Sequence, residues 1–66
     1  MEFKERLKEL RIERNLSQLE IANILNMSKM AISHWEKGRS EPCIEQLKIL
    51  ANLFNVTIDY LVGYSD

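Results

Sequence analysis

The sequence is short of the residues that staple or punctuate a small domain: one cysteine, one proline, one histidine and two glycines in 66 positions. A lone Cys43 closes no internal disulfide and gives no sign of an oxidising compartment. One cysteine and one histidine do not fill a tetrahedral metal site, so neither metal nor cofactor is expected. Cys43 stands beside Pro42 with no base partner, which argues against a nucleophile. No apolar run approaches ~18 residues, so no membrane span is expected. The opening MEFKERLKELR is too charged for a signal peptide. Strand-like alternation, internal repeats and low-complexity tracts are missing. So are a nucleophile–base pair, a phosphate loop and any sign of a small-molecule pocket, and nothing supports an enzyme. The expectation is a soluble, cytoplasmic domain.

A chain of this length makes one domain, residues 1–66, and buries only about 60% of the surface its unfolded form exposes. Its stability must come from close helix packing. The ending Gly63-Tyr64-Ser65-Asp66 reads as a loop or the start of a linker, so the chain is a candidate N-terminal domain of something longer. The formal net charge of -1 counts against nucleic acid at first sight, because a basic domain is the usual footprint. The distribution of charge matters more. From Ser28 to Ser40 the cations are Lys29, Lys37 and Arg39, and the only anion is Glu36. The acids gather early (Glu2, Glu5, Glu9, Glu13) and late (Glu41, Glu45, Asp59, Asp66).

What is present is helical patterning. The spacing predicts five helices, over 2–14, 18–25, 29–37, 44–54 and 58–62. In the first, Phe3, Leu7 and Leu10 recur at i, i+4, i+7 and form a buried stripe. Arg11 falls at the edge of that stripe, and a partly buried arginine needs a partner. Glu36, at the border of the inner seam of the third helix, is the best candidate by position. Leu16 precedes Ser17 as a hydrophobic staple, and Ser17 with Glu20 makes a capping box. Leu19, Ile21, Ala22, Ile24 and Leu25 give the second helix an apolar side. Asn26 stands where the chain must turn sharply in the left-handed conformation, and Ser28 caps the third helix. Gly38, Asn55 and Gly63 fit helix ends, Arg39-Ser40-Glu41-Pro42 a loop, and Thr57 an N-cap. Leu47, Leu50, Ala51 and Phe54 face the core from the fourth helix, and Ile58 and Leu61 from the fifth.

The stretch from Gln18 to Lys37 organises the rest. At about 100° per residue, Ile32 and Trp35 project to one side of the third helix, with Ala31 beside them. Lys29, Met30, Ser33, His34 and Lys37 project to the other. Trp35 is read as core rather than as a stacking platform, because its side matches Ile32. Glu36 is read as structural rather than as an acid catalyst. Two short helices with a tight turn, the second apolar inside and polar outside, have the order of a helix-turn-helix. The B-DNA major groove admits such a helix. Lys29 is the foremost base reader, donating to guanine O6 or N7. His34 reaches either a base or a phosphate. Met30 is an apolar residue on the outer face, either a groove contact or a chance exposure. Ile49 and Leu53 lie off the main stripe of the fourth helix, and Ile58, Tyr60 and Val62 crowd a very short fifth. Some of these belong to the core. The remainder, with Ile49, Leu53, Ile58 and Tyr60 as the candidates, would form a dimer interface that sets two reading helices about 34 Å apart.

These residues resemble the Cro and phage-repressor type of helix-turn-helix domain, the XRE-like family, over nearly the whole chain. The resemblance rests on Leu16-Ser17-Gln18, Ile21-Ala22, Leu25, Met27-Ser28, Ile32-Ser33, Trp35-Glu36-Lys37-Gly38, Pro42, Leu47, Leu50-Ala51, Asn55-Val56-Thr57 and Asp59-Tyr60-Leu61. It implies an all-α, lambda-repressor-like fold of five helices. It implies that Gln18 binds a DNA phosphate, with Ser28, Lys37 and Arg39 as further phosphate contacts. Lys29, Met30, Ser33 and His34 are the implied base contacts. The family's arginine–glutamate pair falls on Arg11 and Glu36, and the family's dimers assemble near the last helix. Asn26 and Asn55 depart from the pattern, standing where glycine is common. Met30 departs too, since many members carry a polar reader there; its contact would be with a thymine methyl. The expected function is a sequence-specific regulator of transcription that binds double-stranded DNA, acting as a repressor and homodimer on an inverted repeat. The alternative is an antitoxin or other protein-interaction module that keeps the same DNA-binding face.

Overall fold

A computed structural model describes residues 1–64; Ser65 and Asp66, part of the ending read as a loop, lie outside the described residues. Five helices follow one another with short connections: α1 (Phe3–Glu13), α2 (Gln18–Leu25), α3 (Lys29–Glu36), α4 (Ile44–Phe54) and α5 (Ile58–Leu61). No strand occurs among the described residues, and no helix is long and apolar enough to cross a membrane. The ends of α1, and the last residues of α3 and α5, fall one residue inside the predicted limits, as fraying helix termini commonly do.

The helices start and stop for local reasons. The Ser17 hydroxyl accepts from the Glu20 amide at 3.0 Å, and the Glu20 carboxylate accepts from the Ser17 amide at 2.9 Å. That reciprocal box satisfies two donors that α2 itself cannot. Ser28 and Thr57 cap α3 and α5 with the hydroxyl alone, accepting from the Ala31 amide at 3.3 Å and the Tyr60 amide at 3.1 Å. Each of the five helices then ends on a residue with positive φ: Asn15, Asn26, Gly38, Asn55 and Gly63. In each case the next amide bonds back five residues, as Met27 does to the Ala22 carbonyl at 2.8 Å. Glycine takes this left-handed backbone freely, and asparagine is the side chain that tolerates it best after glycine.

The core takes residues from every helix: Leu7 and Leu10, Ile21 and Ala22, Ile32 and Trp35, Leu50, Ala51 and Phe54, and Leu61. Leu7, Ile21, Ile32, Leu50, Phe54 and Leu61 are fully enclosed, each contributing about 1.5–3 kcal/mol of burial. Phe3, Leu16, Leu47 and Ile58 pack against this cluster half-buried. Two expectations need correction. Leu19 and Ile24 were assigned to the apolar side of α2, yet they are 52% and 49% exposed. Ile21, Ala22 and Leu25 share one arc of the helix, and Leu19 and Ile24 lie roughly 110° to either side of it. An eight-residue helix packed on one side cannot bury so wide an arc. Conversely Arg6, on the same face as Phe3 and Leu10, is buried, with its guanidinium 3.7 Å from the centre of the Tyr60 ring. A cation over an aromatic face gains electrostatic attraction while its stem fills apolar space.

Candidate nucleic-acid interface

The two faces of α3 are as unlike in space as in sequence. Ile32 and Trp35 are buried against the rest of the domain, at 0% and 3% exposure. Lys29, Met30 and Lys37 are exposed, and Ser33 and His34 are half-buried. Together with Gln18 from the first turn of α2 and Arg39 beyond α3, these side chains line one concavity of about 520 Å³. Three of its seven lining residues are cationic and none is acidic. The sequence placed Lys29, Met30, Ser33, His34, Gln18, Lys37 and Arg39 in one binding constellation, and the fold brings all seven together. Ser28 is exposed at the rim of α3, its oxygen occupied by the cap bond to Ala31 while its hydroxyl hydrogen stays free to donate.

Behind this surface lies a polar network. Arg11 donates from Nε to Glu36 Oε2 at 2.6 Å and from Nη2 to Glu36 Oε1 at 3.1 Å. Its Nη1 donates to the Leu16 carbonyl at 3.0 Å. The two side chains retain 14% and 5% of their exposure, so the pair is largely desolvated and each partner depends on the other. The hydrogen bonds with Glu36 raise the Arg11 pKa above its ordinary value, against an opposing effect of burial, and the carboxylate's charge adds to the rise. The guanidinium therefore stays charged throughout the workable pH range. Its contribution to stability is complete below the unfolded value and would be lost only at extreme alkaline pH. Glu36 Oε1 also accepts from Gln18 Nε2 at 3.1 Å.

Two residues that tie the helices to one another were not singled out from the sequence. Gln46 accepts the Cys43 amide at 2.8 Å and donates to the Met27 sulfur at 3.3 Å, tying the first turn of α4 to the bend between α2 and α3. Its signal was a glutamine three residues after a cap position, hidden because cysteine is a rare cap. Arg14 donates to the Phe54 carbonyl at 2.5 Å, answering one of the unpaired carbonyls at the end of α4. Of the four residues assigned to a dimer interface, Ile49 is exposed at 42%, whereas Leu53, Ile58 and Tyr60 are half-buried and pack on the core.

A helix-turn-helix family model matches residues 7–61, from the middle of α1 to the end of α5. The chain is 47% identical over 63 residues to the HTH-type transcriptional activator BcrR of Enterococcus faecalis, covering 96% of this chain and 31% of that protein. It spans between 31% and 58% of the length of the curated relatives it matches. A transcriptional regulator from Listeria innocua superimposes with a TM-score of 0.93 at 37% identity, over 98% of this chain and 61% of its own. The P22 c2 repressor, solved in complex with a synthetic operator, superimposes with a TM-score of 0.89 at 28% identity over 98% of both chains. Five helices in this order, a turn held by Asn26, and a family match across α1 to α5 place the chain in the Cro and phage-repressor type of helix-turn-helix family, the XRE-like DNA-binding domains.

Proposed function

We propose that this domain recognises a specific sequence in double-stranded DNA and represses transcription as a homodimer on an inverted repeat. The observation that carries the reading is the concavity around α3: seven side chains from α2, α3 and the following loop, donor-rich and free of acids. Phosphates accept hydrogen bonds and carry negative charge, so Gln18 at the start of α2, Ser28, Lys37 and Arg39 are the anchors that set the register. Lys29 donates to guanine, Ser33 and His34 reach base edges beside it, and Met30 meets the one apolar feature of the major groove, the thymine methyl. With a net charge of -1, the domain is expected to have weak non-specific affinity and a shallow salt slope.

Repression follows from occupancy, since a domain seated on an operator blocks polymerase. The P22 c2 repressor, matched along 98% of its chain, supports that direction; BcrR, at 47% identity, is an activator, so a reporter decides the sign. Dimerisation near α4 and α5 would use exposed Ile49 and the outer edges of Leu53, Ile58 and Tyr60. Selection of bound duplexes from a random pool, at stated salt, tests the reading. Two half-sites with dyad symmetry support a dimeric regulator; a protein that retains no duplex overturns the DNA assignment. A reporter behind the selected site then separates repression from activation.

A further inference from the structure

We infer that Glu36 is a positioning residue: it fixes which end of the Gln18 carboxamide is presented at the surface, and so sets that side chain up to grip a DNA phosphate. The inference rests on the DNA-binding reading above. Gln18 Nε2 lies 3.1 Å from Glu36 Oε1. A carboxylate only accepts, so it selects the nitrogen of the amide and turns the carbonyl oxygen away. That leaves the second N–H of the same nitrogen to donate. A phosphate is likewise an acceptor only, and a freely turning amide would present its oxygen to it part of the time. The half-buried Gln18 is thus ordered before any ligand arrives.

A bare carboxylate this close to a phosphate would repel it. Arg11 answers that charge through two bonds to Glu36, at 2.6 and 3.1 Å. The ion pair therefore supplies an acceptor without supplying net negative charge. Oε1 is the shared atom, taking both Arg11 Nη2 and Gln18 Nε2, so the strut between α1 and α3 also governs a side chain at the start of α2.

The test is a double-mutant cycle on a duplex that the wild-type protein selects from a random pool, with dissociation constants measured at one fixed salt concentration. The variants are Gln18→Ala, Glu36→Gln and the two combined, all at a temperature where circular dichroism shows them folded. Loss of a hydrogen bond to a charged group predicts about a tenfold weakening for Gln18→Ala. A glutamine at position 36 offers either a donor or an acceptor and no longer selects the amide. Loss of that ordering predicts about a two- to tenfold weakening. The combined variant is expected to bind no more weakly than Gln18→Ala alone. Losses that multiply would show Glu36 acting independently of Gln18 and overturn the inference, while leaving the DNA reading intact. A second measurement needs no variant. The Gln18 side-chain amide of the free wild-type protein is expected to be as ordered by nitrogen relaxation as the backbone of α2, and a rapidly reorienting amide overturns the inference. A wild-type protein that retains no duplex removes the DNA reading and this inference together.

Discussion

Arg11 grips Glu36 through two guanidinium nitrogens, Nε on Oε2 at 2.6 Å and Nη2 on Oε1 at 3.1 Å, across 25 residues of sequence. The contact joins α1 to α3 and closes over a carboxylate that is 5% exposed. Breaking one side of such a pair leaves the other charge largely shielded from water and without its counter-charge. Glu36→Ala is expected to destabilise the domain by about 2–4 kcal/mol in urea or thermal unfolding. An unchanged melting temperature would show the pair to be incidental. Replacing both partners together by apolar side chains is expected to recover most of the loss, because the desolvation cost disappears with the charges.

On the outer side of α3, Lys29→Ala is expected to relax preference at one base pair and to cost about 1–3 kcal/mol at the preferred site. A competition assay across single-base variants of the selected duplex measures this. A uniform loss across every variant would show Lys29 to be a phosphate anchor instead.

The two glycines should respond differently to alanine, although both have positive φ, +74° at Gly38 and +82° at Gly63. A Cβ at Gly63 would lie 1.8 Å from the Met1 carbonyl oxygen, a backbone atom. At Gly38 it would meet the flexible Lys4 side chain, 3.0 Å from Cδ. Backbone strain alone is expected to cost about 1–2 kcal/mol at each. Gly63→Ala is expected to exceed Gly38→Ala by about 1 kcal/mol or more, since main chain must move. Equal losses in parallel urea titrations would discount the Met1 contact.

Asn15, Asn26 and Asn55 hold the same left-handed backbone with a side chain. Substitution by glycine at any of them is expected to stabilise by about 0.5–1 kcal/mol, and substitution by alanine to destabilise by about 1 kcal/mol. Denaturant midpoints of the six variants check both signs.

Much of this was legible because the controls are local. Ser17 with Glu20, Ser28, Thr57, Asn26 and Asn55 announce helix ends within four or five residues of sequence, and a period of 3.6 separates Ile32 and Trp35 from Lys29 and Ser33. The Arg11–Glu36 pair was legible for a different reason: each residue sits at the margin of an apolar seam, where a charge needs an answer. What escaped depended on the third dimension. Arg6 occupies a core-facing position, but only the arrival of the Tyr60 ring from α5 makes a cation tolerable there. Leu19 and Ile24 look internal by composition, and their exposure follows from how little of α2 its neighbours cover. Gln46 reaches Met27 across 19 residues, a distance no local pattern encodes. For Gln18, position at a helix start pointed outward to an anion, whereas its bond inward to Glu36 emerges only when α2 and α3 meet.

The five left-handed terminators bear on how fast this chain can find its structure. Each helix is halted by one residue and an amide that reaches back only five positions, as Leu16 does to Arg11 and Tyr64 to Asp59. Where each helix ends is thus written within a few residues of sequence, while helices this short become stable only once they pack together. Domains dominated by short-range contacts cross their folding barrier in about microseconds to milliseconds. Refolding here is expected in that range. A chain that folds on that timescale spends little time with Trp35 and Phe54 open to aggregation.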